Sequence, residues 1–192
     1  SLRRRQRQMC IRDRYFVYSG EVMLYNLTKH GNRKVIFILG KGRLLNQSIV
    51  SKKPNALFCE AACPVQILEI AEEPFLHLME QSHDLTRAVL REYERNLWRM
   101  GHQLKNTTGN MQMERKIAAK LWKLGRDFGV DTEDGVMIDI DLTITLMADL
   151  VGAPRENVSR ACKVLTDRGL IRYGNKRFIL TDSDGLAEFY KM

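Results

Sequence analysis

Thr143-Ile144-Thr145-Leu146-Met147-Ala148-Asp149-Leu150-Val151-Gly152-Ala153-Pro154-Arg155-Glu156-Asn157-Val158-Ser159-Arg160 carries the densest run of local structural signals in the chain. Thr143 suits a helix N-cap, Gly152 a tight turn, and Pro154 the first position of a second helix. On that second helix Arg155, Ser159, Lys163, Glu156 and Arg160 span about 140° of its circumference. Val158, Ala161, Cys162 and Leu165 fall between about 240° and 340° from Arg155 and form a separate apolar face. One side packs while the other displays arginines, a carboxylate, a hydroxyl and a lysine. Those types match a DNA major groove: arginine donates twice to guanine, a carboxylate accepts from cytosine N4, and lysine reaches phosphate.

Downstream, Leu170 to Leu180 reads as a hairpin with Gly174-Asn175 as its turn. Upstream, Met111 to Phe128 reads as a helix with Ile117, Ala118, Leu121 and Leu124 on one face and Gly129 as its stop, and Val136 to Ile140 as a short strand. Helix, helix, turn, helix and hairpin in that order predict a winged helix-turn-helix. Asn106-Thr107-Thr108-Gly109-Asn110 is a polar break and the predicted hinge. Before it, residues 83–105 form a long helix whose Leu85, Val89, Leu90, Tyr93, Leu97, Met100 and Leu104 lie within about 140°. Leu85, Val89, Tyr93, Leu97, Met100 and Leu104 are the predicted dimer interface, because six turns exceed what one small roll needs for cover. A short helix runs from Pro74 to Gln81. Tyr15–Tyr18, Val22–Tyr25, Lys34–Leu39, Ala56–Ala61 and Val65–Ile70 are β-rich runs punctuated by glycine turns, the pattern of an antiparallel sandwich or jelly roll.

The chain has 192 residues, 44% hydrophobic and 28% charged, with a net charge of +8. The longest apolar run, Val35 to Leu39, is far short of the roughly 20 residues of a membrane span. Four cysteines with no secretory segment make no disulfide framework and point to a reducing, cytoplasmic setting. Six arginines and one aspartate fall in residues 1–14, whereas residues 111–192 balance 13 basic against 13 acidic side chains. Within that neutral part, residues 154–177 hold seven basic and two acidic residues, a local patch for an anionic partner. Residues 1–14 have no hydrophobic period, and as native sequence would be a phosphate-touching arm or a solvated tail. Met9-Cys10-Ile11-Arg12-Asp13 resembles one reading frame of a transposon-end adaptor used in sequencing libraries. Residues 1–14, Cys10 included, are therefore read as a non-native basic tail, with the natural N-terminus missing.

The Thr143–Arg160 stretch closely resembles the helix-turn-helix of the cyclic AMP receptor protein and fumarate–nitrate regulator family. Asp167-Arg168-Gly169-Leu170-Ile171 resembles that family's exit into the wing. Glu156-x-x-Ser159-Arg160 is similar to the fumarate–nitrate branch, and Arg155 before it to the cyclic AMP branch. The resemblance covers residues 15–192 and implies an α+β architecture: an N-terminally truncated antiparallel β-roll at 15–82, like a cyclic-nucleotide-binding jelly roll, a dimerisation helix and hinge at 83–110, and a winged helix-turn-helix at 111–192. It implies base contacts from Arg155, Glu156, Ser159 and Arg160, and phosphate contacts from Thr143, Lys163, Lys176 and Arg177. The implied partners are a palindromic operator with TGA-containing half-sites, a second copy of the chain, and RNA polymerase.

The sensory half departs from the cyclic-nucleotide branch. Where that branch has Gly-Glu-Leu and a later Arg-Ser-Ala for ribose and phosphate, this chain has Gly42-Arg43-Leu44 and Pro54-Asn55-Ala56-Leu57. The expected effector is therefore not cyclic AMP but an unidentified small molecule or redox signal. Cys59 and Cys63, if on one extended strand, lie about 13 Å apart, too far for one metal or one disulfide. Cys162 sits on the packing face of the recognition helix, and His30, His77, His83 and His102 form no evident pair for haem. No nucleophile–base spacing marks an enzyme, and no cofactor or metal is expected. The competing reading is an effector-binding or protein-interaction module whose winged helix does not read DNA.

Overall fold

A computed structural model describes residues 13–29, 31–50, 55–108 and 111–191. Their contacts group into two compact units that part after residue 105, with Arg33–Val35 counting with the second. In the first, β1 (Asp13–Ser19) pairs antiparallel with β5 (Gln66–Ala71), and β2 (Val22–Leu27) lies between β3 (Arg33–Leu39) and β4 (Phe58–Ala61). Register runs from Asp13 opposite Ala71 to Val17 opposite Ile67, and from Val22 opposite Ala61 to Tyr25 opposite Phe58. Inward-facing Val17, Val22, Leu24, Phe37, Leu39, Leu45 and Val65 make one buried cluster. The loop after β3 is zipped to β1 by Val17 N–H to Arg43 O at 2.9 Å and Leu45 N–H to Tyr15 O at 2.9 Å.

Two boundaries differ from the sequence expectation. Asp13 and Arg14, assigned to a foreign tail, are strand residues, and Arg14 is only 1% exposed. Its guanidinium donates to Ile49 O and pairs with Glu72 at 3.4 Å. The missing hydrophobic period and the adaptor resemblance made it look like tail, but an arginine can be buried where a carboxylate and a carbonyl pair with it. Residues 1–12 lie outside the described residues. The helix α1 (Glu72–Gln81) starts before Pro74, which stands in the first turn where its missing N–H costs nothing.

Helix α2 (His83–Thr108) divides the predicted interface stripe. Val89, 6% exposed, joins Leu44, Ile49 and Phe75 in a second buried cluster, with Leu85 and Tyr93 packed on it. Val89 is therefore corrected from partner-facing to core, and Leu85 and Tyr93 lie partly buried against that cluster rather than wholly on an outer face. Leu90, Leu97, Met100 and Leu104 remain exposed, Leu97 at 72%. The arc was too wide for one job: the half nearer 89 packs with Leu44, Ile49 and Phe75, and the side chains at 90, 97 and 104 stay more than half exposed. The helix also continues through Asn106, Thr107 and Thr108, since a few weak helix formers at a helix end cost only tenths of a kcal/mol each. Gly109 and Asn110, the rest of the predicted hinge, lie outside the described residues.

The second unit holds α3 (Met113–Phe128), β6 (Gly129–Thr132), β7 (Gly135–Ile138), α4 (Ile144–Val151), α5 (Arg155–Asp167), β8 (Ile171–Gly174), β9 (Arg177–Leu180) and α6 (Ser183–Lys191). Ile117, Ala118, Leu121 and Leu124 are buried as their spacing requires, and α3 packs on α5 and α6. The sheet order is β6-β7-β9-β8, so the wing hairpin is extended by a second hairpin. Strand β6 and helix α6 were not expected. β6 is exposed throughout and carries no alternation, while α6 is a single short helix after a turn. Gly129 does end α3, but in ordinary extended geometry (φ −75°). Its need is space, because a Cβ there would lie 2.0 Å from Gly125 O. The wing turn is Asn175-Lys176, not Gly174-Asn175. Gly174 pairs with Arg177, leaving a two-residue loop whose residues both have positive φ, 51° and 60°.

Candidate nucleic-acid interface

The α4–α5 pair is built as its sequence predicts, with one shift. The Thr143 hydroxyl accepts from Leu146 N–H at 3.1 Å, capping α4. Gly152 closes α4 in the left-handed region (φ 73°), where a side chain would be strained. Pro154 is the N-cap of α5, so Arg155, not Pro154, is the first helical residue. Val158, Ala161, Cys162 and Leu165 are all buried, while Arg155, Glu156, Ser159, Arg160 and Lys163 are all exposed. Glu156 in the first turn also faces the positive end of the helix dipole.

Three residues outside the predicted set shape this face. The Asn157 side chain accepts from Arg160 at 2.7 Å, steadying one of the two exposed arginines of α5. Its i, i+3 spacing was a readable signal. Asp139 and Asp141 both reach Arg177, the latter at 3.8 Å, so the wing arginine is engaged by carboxylates of the segment before α4. That pairing crosses 36 or more residues of chain and has no local signature. Lys176, at the wing tip, is exposed.

In the first unit the loop between β3 and β4 uses its own amides. Asn46, nearly buried, accepts from Tyr15 N–H at 2.8 Å and donates to Asp13 O at 2.9 Å. Asn55 accepts from Gln47 N–H at 2.9 Å, and Gln47 in turn accepts from Leu57 N–H at 3.2 Å. Arg43 of this loop pairs with Glu92 of α2 at 2.7 Å. Cys59 lies in β4 but Cys63 lies beyond its end, so the two do not share a strand. The Cys63 thiol donates to the Glu21 carboxylate at 2.8 Å. Burial first, and Glu60 second, push the Cys59 thiol up to about 11, and burial pushes Cys162 up to about 11. Neutral thiols of this kind are packing groups, poor nucleophiles and poor metal ligands. Among the described residues no group of three or more His, Cys, Asp or Glu could hold a metal ion. His77 bonds Gln81 and His102 stacks on Trp98; His30 lies outside the described residues.

Comparison with known proteins agrees with both units. Residues 115–189 match the Crp-like helix-turn-helix domain, and residues 5–82 match the cyclic nucleotide-binding domain. The second match begins at residue 5 and so takes in most of the stretch assigned to a foreign tail. The CRP-like cAMP-activated global transcriptional regulator of Mycobacterium tuberculosis is 25% identical over 174 residues, 90% of this chain and 77% of that protein. Transcriptional regulator SdrP of Thermus thermophilus is 26% identical over 178 residues, 92% of this chain and 84% of its own length. The fold matches FixK2 from Bradyrhizobium japonicum with a TM-score of 0.79 at 17% identity, over 97% of this chain and 91% of that one. Among the described residues no helix is long and apolar enough to cross a membrane. A nucleotide-binding-type roll followed by a Crp-like helix-turn-helix, with relatives of the same kind along nine-tenths of its length, makes the chain a transcription regulator of the Crp/Fnr family.

Proposed function

We propose that two copies of this chain pair through the exposed face of α2 and place two α5 helices in successive major grooves of a palindromic operator, about 34 Å apart. Arg155, Glu156, Ser159 and Arg160 read base edges; Thr143, Lys163 and Lys176 hold phosphates. Arg177, taken up by two aspartates, is left out of that set. The observation that carries the reading is the division of α5, which buries every apolar side chain of one face while leaving every polar one of the other in solvent. The bound dimer acts in the cytoplasm on transcription by RNA polymerase. Its effector is a small molecule other than cyclic AMP. In support, the ribose glutamate is absent, Asn55 stands where the phosphate arginine is expected, Asn46 is occupied by β1 backbone, and Gln47 and Asn55 are occupied by backbone of their own loop.

The test is enrichment of a randomised duplex pool by the purified full chain. Two-fold related half-sites with a TGA core are expected. Enrichment of no sequence, with binding that depends on salt alone, would refute sequence reading.

A further inference from the structure

The wing is fastened to the segment that leads into α4, and we propose that Arg177 is a positioning residue: it holds the wing so that Lys176 meets a phosphate, and is not itself a phosphate contact. The inference rests on the DNA reading above. Two independent links make the fastening. Arg177 pairs with Asp139 and with Asp141, and Leu142 N–H donates to Lys176 O at 2.7 Å. The links leave from consecutive wing residues, one through the Lys176 carbonyl and one through the Arg177 side chain. They end on residues 139–142, immediately before the Thr143 cap.

Charge and backbone geometry agree on this division of labour. Two carboxylates around one guanidinium leave the trio with net negative charge, which repels a phosphodiester. Lys176, in contrast, stands exposed with no ion pair among the described residues, at a φ of 60° that favours glycine. A lysine kept at a strained turn position points to a use for its side chain. Exposed aspartates beside a DNA-facing patch are otherwise a cost to binding; as anchors for Arg177 they have a purpose.

The experiment uses the full chain and its enriched duplex, with Arg177→Ala, Arg177→Lys, Lys176→Ala and the double variant Asp139→Asn/Asp141→Asn. Removing two negative charges beside DNA should tighten binding by simple electrostatics. The clamp predicts the reverse sign, a loss of about three- to fivefold, the size set by a partly exposed ion-pair network. Arg177→Ala should lose about as much, Arg177→Lys less, and Arg177→Ala should add little in the Lys176→Ala background. Amide exchange at Leu142 should quicken in Arg177→Ala and in the double aspartate variant, with or without DNA. Tighter binding by the aspartate variant would overturn the clamp. So would unchanged Leu142 exchange, or full additivity of Arg177→Ala and Lys176→Ala with each lowering the salt slope by about one. If the wild-type chain enriches no duplex, the DNA reading fails, and Leu142 exchange still decides whether Arg177 fastens the wing.

Discussion

Changing Leu97 to Glu should separate the dimer and leave the protomer folded. Leu90, Leu97 and Leu104 recur every seven residues on the exposed side of α2, with Met100 beside them, so a parallel pair brings six leucines onto one seam. A leucine is worth about 1.5–3 kcal/mol when fully buried. These are half to three-quarters exposed in the protomer, so pairing recovers roughly 1–2 kcal/mol from each, or roughly 6–12 kcal/mol gross. Association costs of similar size leave a narrow margin. Leu97→Glu removes two central leucines and opposes two carboxylates across the two-fold, a loss of roughly 3 kcal/mol or more, which weakens association at least about a hundredfold. Val89→Ala is the contrasting change. It deletes two methyl groups among Leu44, Ile49 and Phe75, costing about 2 kcal/mol and lowering Tm by roughly 4–8 °C, with the dimer intact. Sedimentation velocity at micromolar concentration, with circular dichroism melts, reads both. A Leu97→Glu chain that still sediments as a dimer would refute the seam, and a Val89→Ala chain with unchanged Tm would refute its assignment to the core.

Arg160→Ala should cost about 1–3 kcal/mol on the enriched half-site and relax selection at its guanine, whereas Lys163→Ala should weaken all duplexes alike and lower the salt slope by about one; equal losses on both sites for Arg160→Ala would make it a phosphate contact. Cyclic AMP should give no heat in calorimetric titration at up to millimolar concentration, and a micromolar constant would reopen the reading of residues 42–57. Stability should hold to about pH 9 and fall toward pH 11. Folding raises the Cys59 and Cys162 thiols to about 11, so the neutral form is favoured in the folded state, and that contribution is lost as pH climbs through the folded value. Urea midpoints across this range check it, and a fall that is no shallower in Cys162→Ala would discount that thiol.

The helix-turn-helix was legible from the order of residues because each of its signals is local. A cap threonine, a left-handed glycine, a proline at the helix entry and an apolar face at 3.6-residue period all lie within one or two turns of what they affect. The same holds for α3 and for the strands of the roll. What the order of residues did not decide is which apolar face meets which surface. The stripe on α2 is one continuous signal, and only packing separates Val89, against its own Phe75, from Leu97, which faces outward. Charged side chains are harder still, because a pair partner is set in space and leaves no period in sequence. Arg14 looks like tail until Glu72 and Ile49 O surround it. Arg177 looks like a free wing cation until Asp139 and Asp141 stand beside it, 38 and 36 residues away along the chain. Hydrophobic pattern follows backbone geometry, which is local; ion pairing follows tertiary proximity, which is not.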